Sequence, residues 1–429
     1  MFTEQQEALP ANKGAGRARA KGENAAPKAA ASGADGGEPT PKPAEEASLS
    51  VVVITTVEEL EARLADLDVL ANAALEANPF FEHWMLIPAW RSLGKEFDLR
   101  VVLIYRSKGG ESAPLLCGLF PLELRHKYRG FPLRVFMLWQ HRFASLGTPL
   151  LHAEHARECL DTFFDWIGQR PNGARLMEFT EVRCDGPFFH VLNDVFNARL
   201  SSKFVSEAYA RPLLRHRPEE DYLMAAKSGR HLRELRRKER RLAEGGKVEY
   251  STLEAKGDGP AAIEEFLQLE ASGWKGREGS AIKLREGGHD FFMAMGRGAF
   301  AKDRLILQSL RVAGKVIASK FNVVGGKGAY VLKIAFDEDY SRYSPGDLLE
   351  LENMRWFQGN NKIEWVDSCA RPSSHHFYRW LDRMMLQTVV IGSGHGIDDL
   401  FIAVLPLLQW GLRQWKHLKR RISTGAKEQ

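Results

Sequence analysis

YVLKIAFDEDYSRYSPGDLLELENMR, residues 330–355, is the stretch around which the rest of the chain is organised. Its first part has an apolar or aromatic residue at every second position from Tyr330 to Phe336, and this alternation predicts a β-strand. A helix is predicted after Ser344-Pro345-Gly346, with Ser344 as its cap and Pro345 in its first turn. A strand, a tight turn and a helix whose first amides are unpaired form an anion site. An ordinary strand–turn–helix connection would explain the same residues.

Composition narrows the class of protein. The chain has 429 residues, of which 44% are hydrophobic and 27% charged, as expected for a globular protein of two or three domains. Four cysteines lie far apart without a CxxC pair, which argues against a zinc site or a disulfide framework and favours a reducing cytoplasm. The polar N-terminus does not resemble a signal peptide, and no apolar run is long enough to span a bilayer. We therefore expect a cytoplasmic protein without a metal.

The ends of the chain differ from its middle. Residues 1–47 are rich in Ala, Gly, Pro, Lys and Glu and are expected to be disordered, because they cannot bury enough apolar surface to offset ordering entropy. Residues 395–421 read as a short apolar helix with a basic end. Its part from 400 to 421 could lie on an anionic membrane surface, and packing across two lobes is the alternative.

Order begins near residue 49. A strand is followed by a helix over 57–76, with Thr56 as its cap and Glu59 completing a capping box. Two strands, 99–107 and 114–124, are predicted to form a hairpin around Gly109-Gly110. A helix over 154–170 and a strand over 174–180 complete this part of the chain, which we interpret as an α+β domain.

The helix predicted over Asp221–Glu244 carries a strong excess of positive charge. Its bases are Lys227, Arg230, Arg233, Arg236, Arg237, Lys238, Arg240 and Arg241. Such a run is usually a solvated face, but its single sign would also attract a CoA phosphate or a tRNA backbone. The helix lacks the aromatic residues that stack on bases, so sequence-specific nucleic-acid reading is not expected.

A glycine-spaced loop is predicted at residues 274–280. Substrate binding is assigned to its polar and aromatic members, namely Trp274, Lys275, Arg277 and Glu278. Glycine lets the backbone approach a ligand, and a surface loop with one buried tryptophan is the alternative. Three strands follow, over 305–312, 315–324 and 329–336, and a further strand over 362–367 ends at Asp367. His375-His376 lies in the polar loop after it and is interpreted as a surface pair.

The order of these phrases resembles the GNAT acyltransferase superfamily, in particular its CelD-like branch, which is related to the Fem peptidyltransferases. The phrases that carry the resemblance are SGRHLRELRRKERRLAEGG at 228–246, LEASGWKGREGSAI at 269–282, the strand pair at 305–337, YSPGDLLELENMRW and WVDS at 365–368. The resemblance implies an α+β fold of two tandem GNAT-like lobes, each a mixed, mostly antiparallel sheet flanked by helices. The implied lobes are 48–214 and 215–392, and an amphipathic basic tail follows at 393–429.

The resemblance also implies a reaction and a site. The reaction would be acyl transfer from acyl-CoA, with acetyl-CoA as the co-substrate and no metal, to an amine or hydroxyl of a small molecule or saccharide. Asp337 and Asp367, both at strand ends, would orient the acceptor or act as the base. Cofactor binding is assigned to Arg342, Tyr343, Ser344, Pro345, Gly346 and Leu348. The usual phosphate signature is only approximated by Arg342–Gly346.

Two other functions remain open at this point. A Fem-like transferase would take an aminoacyl group from tRNA, and the basic helix at 227–241 would suit that donor, although no long heptad run for a coiled-coil arm is present. A non-catalytic partner in polysaccharide synthesis is the other alternative.

Overall fold

A single large β-sheet organises the protein. The computed structural model describes residues 48–107, 113–199, 202–217, 229–253, 256–371, 380–394, 396 and 398–407. Within these ranges thirteen strands join one sheet. The strands are β1 (Ser48–Ile54), β2 (Leu99–Ser107), β3 (Leu115–Arg125), β4 (Val135–Leu138), β5 (Leu150–Leu151), β6 (Leu176–Arg183), β7 (Lys203–Arg215), β8 (Val248–Thr252), β9 (Leu305–Val312), β10 (Lys315–Gly325), β11 (Gly328–Phe336), β12 (Trp365–Asp367) and β13 (Asp382–Gly392).

Helices cover the faces of this sheet. They are α1 (Val57–Glu61), α2 (Leu64–Asn72), α3 (His83–Leu93), α4 (Ala156–Gly168), α5 (Pro187–Arg199), α6 (Gly229–Ala243), α7 (Gly259–Ser272), α8 (Trp274–Arg277), α9 (Gly288–Ala301), α10 (Pro345–Gln358) and α11 (398–407). A large mixed sheet flanked by helices confirms the predicted α+β class. In the described ranges no helix combines the length and the apolar character needed to cross a membrane.

The sheet consists of two halves with the same strand pattern. In the first half, β1, β2, β3 and β4 are successively antiparallel, β4 and β6 are parallel, and β6 and β13 are antiparallel. In the second half, β8, β9, β10 and β11 are antiparallel, β11 and β12 are parallel, and β12 and β7 are antiparallel. This repetition matches the expectation of two lobes, each with a mixed and mostly antiparallel sheet.

The two halves exchange their last strands. β7 follows the first half in the chain but pairs with β12, and β13 follows the second half but pairs with β6. β7 and β13 pair with each other along their lengths and make the sheet continuous. Sequence analysis predicted neither β7 nor β13. The lobe bounds at 214 and 392 stay a prediction. Those bounds follow chain order, whereas the sheet crosses between the lobes.

Alternation along β10 separates two cores. Phe321 faces α7 and α9, where its ring lies 5.4 Å from Phe266 and 5.5 Å from Phe292. Ala318, on the opposite face, packs with Leu348 and Leu349 of α10. Because side chains of a strand point alternately to the two faces, one strand anchors both helical layers. α3 packs against α9, so helices as well as strands join the two halves.

Several local expectations need correction. The helix predicted over 57–76 is broken into α1 and α2 at Ala62–Arg63, although Thr56 caps it as predicted, with its Oγ1 accepting from the Glu59 amide at 3.3 Å. The loop predicted at 274–280 begins as the short helix α8. The turn at Gly109-Gly110, the pair His375-His376 and residues 408–421 lie outside the described ranges. In the described part of the C-terminal segment, Ile402 and Leu405 of α11 pack on the first half of the sheet.

Candidate functional site

The sheet opens beside β11. β11 pairs with the parallel strand β12 at only three positions, from Gly328 to Tyr330. It then continues to Phe336 with no described strand hydrogen-bonded to it on that side. The backbone N–H and C=O groups along this free edge are left for another partner, because a β-strand carries such groups on both edges.

The turn after β11 leads directly into α10. Asp337 caps a 3-10 helix over Glu338–Tyr343, accepting from the Asp339 amide at 3.0 Å, and its other oxygen receives Lys315 Nζ at 2.7 Å. α10 then begins at Pro345 as predicted. The Leu348 amide donates to Ser344 O at 3.1 Å, which leaves the amides of Gly346 and Asp347 ahead of the first intrahelical bond.

Ser344 does not cap α10 with its side chain, which corrects the sequence prediction. The residue has left-handed backbone angles, φ 53° and ψ 55°, and its side chain makes no cap hydrogen bond. Its hydroxyl instead receives a hydrogen bond from Lys238 Nζ at 2.8 Å. The start of α10 is therefore held by a cation from the basic helix α6.

The basic helix lies along the start of α10. Leu232 and Leu235 of α6 share an apolar cluster with Leu348 and Leu349. On its other side α6 lines a surface concavity of about 550 Å³ with Arg233, Arg236, Glu239 and Arg240. Three guanidinium groups, the Lys238 ammonium and the positive end of a helix thus lie on neighbouring elements, an arrangement that attracts anions.

A small groove lies at the far end of β11. About 40 Å³ of space is lined by Leu269, Glu270, Gly273, Ile334, Ala335, Phe336 and Glu338. A Cβ at Gly273 would lie 3.2 Å from a Glu338 carboxylate oxygen, so glycine keeps this wall open. Glu338 is ion-paired with Arg277. The groove therefore places two carboxylates and one guanidinium beside the unpaired edge of β11.

Asp367 belongs to a different environment, the seam between the exchanged strands. It is fully buried, with Oδ2 3.2 Å from Arg211 Nη1 and Oδ1 accepting from the Cys369 amide at 2.8 Å. Burial raises the pKa of the Asp367 carboxyl, and Arg211 opposes that shift. Burial by itself would lower the pKa of Arg211, but Asp367 and Glu181 more than offset this. The pair is therefore an internal ion pair with its second carboxylate, Glu181, 3.2 Å from the same guanidinium.

The structure brings together most, but not all, of the residues predicted for the site. Asp337 and Arg277 lie near the groove, and the stretch from Arg342 to Leu348 forms the turn and the start of α10. Asp367 does not join them. It is opposite Tyr330 in the sheet, and the seven steps along the strand from Tyr330 to Asp337 span about 23 Å at ~3.3 Å per residue.

The other residues predicted for the site are either exposed or have side chains outside the described part of the structure. The Arg342 guanidinium lies over the Tyr343 ring at 4.7 Å and is exposed. Glu278 is also exposed. The side chains of Trp274 and Lys275 lie outside the described part of the structure.

Sequence analysis missed several buried polar residues near the site. Glu270 is 4% exposed and accepts from the Ile282 amide at 2.8 Å. Under α10, Lys320 Nζ donates to Glu350 at 2.6 Å, and Trp380 Nε1 donates to the other oxygen of Glu350 at 2.9 Å. A signal was present for Glu270, because it follows Ile263, Phe266 and Leu267 at helical spacing on the apolar face of α7. Lys320 similarly occupies an inward position of an apolar strand.

Comparison with protein families gives one match. Residues 229–378 match the model of an acetyltransferase (GNAT) domain, which is 150 of the 429 residues. The matched range contains α6, β8 to β12 and α10, and so includes the groove and the start of α10. The match supports an acyltransferase domain in the second half. No curated protein matches the chain.

Solved structures with a similar course of the chain include three that cover most of it. A conserved protein of unknown function from Bacteroides thetaiotaomicron is 14% identical, covering 77% of this chain and 97% of its own, with a TM-score of 0.46. FemX is 9% identical, covering 76% of this chain and 95% of its own, with a TM-score of 0.48. A tandem GNAT protein from the clavulanic acid biosynthesis pathway is 12% identical, covering 81% and 100%, with a TM-score of 0.40. Likenesses at this level carry no function to this chain.

Proposed function

We propose that this protein transfers an acyl group from acyl-CoA, with acetyl-CoA as the simplest donor, to an amine or hydroxyl group. The observation that carries the proposal is the hydrogen bond from Lys238 Nζ to Ser344 Oγ at 2.8 Å, which joins the basic helix α6 to the start of α10. The family match over residues 229–378 supports the same reaction class. The proposal also places the protein in the CelD-like branch and takes a saccharide as one possible class of acceptor.

The donor's phosphates suit the start of α10. Coenzyme A carries a pyrophosphate and a further phosphate, and the amides of Gly346 and Asp347 provide hydrogen bonds at the positive end of a helix. Lys238 and Arg342 supply charge around that end. Among the described residues, a side chain at Gly346 would approach only Phe336, at 3.9 Å, so the turn leaves room beside this amide.

The acyl end of the donor would then lie beside the free edge of β11, where the groove opens next to Phe336. There the acceptor's nitrogen or oxygen attacks the thioester carbonyl, the C–S bond breaks and the thiolate leaves. Glu270 lies at the groove and is proposed as the base that takes the acceptor's proton. Asp337 and Glu338 are proposed to orient the acceptor, with Arg277 holding Glu338.

Isothermal titration of the full chain with acetyl-CoA and with free CoA tests the donor site. The variant Ser344→Asp/Gly346→Asp should lose more than ~100-fold in affinity, because two new carboxylates repel phosphate and remove about two charge-assisted hydrogen bonds. Ser344→Asn/Gly346→Asn is the matched control, equal in size but uncharged, and asparagine tolerates the left-handed angles of residue 344. Lys238→Gln should weaken binding about tenfold.

A charge control separates this site from general attraction. Lys247→Gln removes a cation just beyond α6 whose side chain is 80% exposed, and it should leave affinity unchanged. No binding of CoA by the wild type, or equal affinity in the Asp and Asn double variants, would remove the start of α10 as the donor site.

A second candidate function rests on the concavity lined by Arg233, Arg236 and Arg240. Its volume of about 550 Å³ and its charge would also suit the backbone of an aminoacyl-tRNA, as a Fem-like transferase would require. Binding of charged tRNA that falls steeply with salt, without binding of CoA, would favour this candidate. Binding of neither, with a retained protein partner, would favour a non-catalytic role in polysaccharide synthesis. Membrane contact through 400–421 is part of the proposal for either role.

A further inference from the structure

A cluster of metal-ligating side chains lies in the first half of the sheet, in the turn between β5 and α4. His152, Glu154 and His155 each place one possible ligand atom within 4.8 Å of the others. The two imidazole rings lie with their centroids 5.1 Å apart and their planes 27° from parallel. Nδ1 of His155 is buried and has no hydrogen-bond partner among the described residues. An imidazole nitrogen in that state either binds a ligand or leaves its lone pair or proton unsatisfied.

The backbone of this turn is fixed on both sides. The His152 amide donates to Cys117 O at 2.8 Å, and the Ala153 amide donates to Ala73 O at 2.9 Å. The His155 amide closes the turn onto His152 O at 3.0 Å. The three side chains are therefore carried by a segment held to β3 and to the end of α2, so binding an ion would require side-chain rotation and little backbone ordering.

Local charge favours a cation. Glu158, one turn into α4, has a carboxylate oxygen 3.9 Å from His155 Nδ1. Arg106 offsets part of this charge, with its Nε 3.4 Å from the same carboxylate. Two carboxylates, Glu154 and Glu158, against one guanidinium leave one net negative charge beside two imidazoles.

We propose that His152, Glu154 and His155 bind a divalent transition metal, with zinc as the ion whose chemistry fits best. Two imidazoles and one carboxylate are a zinc ligand set, whereas magnesium and calcium require oxygen ligands. Bonds of about 2.0–2.2 Å in a tetrahedral site place ligand atoms roughly 3.4 Å apart, so the present spacing closes by rotation of the side chains. This site is independent of the acyl-transfer proposal.

The proposed metal site and the proposed donor site occupy equivalent positions in the two halves of the sheet. α4 lies between β4 and β6 in the chain, as α10 lies between β11 and β12. The start of α10 presents free amides and cations to an anion, whereas the start of α4 presents histidine and carboxylate ligands to a cation. The metal would stabilise the β5–α4 turn of the first half. The equivalent position in the second half is the start of α10, the proposed donor site.

Cobalt titration of the full-length, untagged and chelator-stripped protein tests the proposal, since Co²⁺ bound by histidine gives a visible absorption band and zinc should displace it. We expect one saturable site with micromolar affinity and no competition from magnesium. His152→Gln and His155→Gln should each lower the affinity at least tenfold, and Glu154→Gln should lower it less. Zinc should raise the melting temperature of the wild type and not that of either histidine variant.

His289→Gln is the matched control, because His289 is also a partly exposed histidine next to a carboxylate, 2.9 Å from Glu264. This control should bind cobalt as the wild type does. Circular dichroism of each variant without metal establishes that it is folded. Absence of cobalt and zinc binding by the wild type, or equal affinity in the wild type and in folded His152→Gln and His155→Gln, would overturn the proposal.

Discussion

Removing the charge of Asp367 tests whether this residue serves the seam or the chemistry. Its carboxylate is fully buried and lies 3.2 Å from Arg211 Nη1. Breaking a buried ion pair by deleting one partner typically costs about 3–5 kcal/mol. Asp367→Asn should be near the lower end of this range, because Arg211 keeps Glu181 at 3.2 Å. Arg211→Met should be near the upper end, because the Asp367 carboxylate would then rest on the amide of Cys369.

Urea unfolding of the full chain measures both costs, and the double variant Arg211→Met/Asp367→Asn measures their coupling. The double variant should cost about 1–3 kcal/mol less than the sum of the single changes, because neither the Asp367 carboxylate nor the Arg211 guanidinium is then left without the other. Glu181 loses Arg211 in the single and the double variant alike, so this loss cancels in the coupling. Lys327→Met is the control, since it breaks a largely exposed pair with Glu364 and should cost less than ~1 kcal/mol. The reasoning is refuted if Asp367→Asn unfolds like the wild type yet abolishes acyl transfer, because that result would make Asp367 catalytic.

Three further predictions follow from buried polar groups. Burial lowers the pKa of His141 to about 3 from its usual 6.5, so the neutral ring is favoured in the fold and its contribution to stability is lost as pH falls below 6.5. Between pH 6.5 and 4.5 the wild type should lose about 2 kcal/mol from this source, and His141→Gln, compared with it by urea unfolding at both pH values, should lack that loss. Lys320→Met should lower the unfolding free energy by about 3 kcal/mol by leaving the buried Glu350 without its ammonium partner, and Lys320→Met/Glu350→Leu should recover much of it; equal losses in both variants would contradict the pairing. Glu270→Gln should lower the rate of acyl transfer about 10²–10⁴-fold in a thiol-release assay while acetyl-CoA affinity stays the same, and an unchanged rate would exclude Glu270 as the base.

The local elements of the second half could be predicted from the sequence because nearest neighbours in the chain determine them. Ala313-Gly314 forms the turn between β9 and β10 with φ of 47° and 83°, a conformation that favours glycine. Alternation from Tyr330 to Phe336 predicted β11, and Pro345 predicted the start of α10, because a missing N–H is harmless in the first turn. The fold class that the resemblance of the sequence phrases implied is confirmed, and the reaction class that it implied stays a proposal.

The partners of these elements were decided only by the tertiary structure. A period-two pattern determines which face of a strand is buried but not which strand lies beside it, so the exchange of β7 and β13 left no local trace. Arg211 and Asp367 are 156 positions apart, and the sequence presented Asp367 only as an acid at a strand end. Likewise, the sequence left the basic run of α6 open between a solvated face and a face that attracts anions, and only the structure shows that Lys238 donates to Ser344, 106 positions away. The burial and the ion-pair partners of a charged side chain depend on such distant contacts. The sequence by itself therefore indicated which charged residues the chain contains, and the tertiary structure determined which partner each of them has.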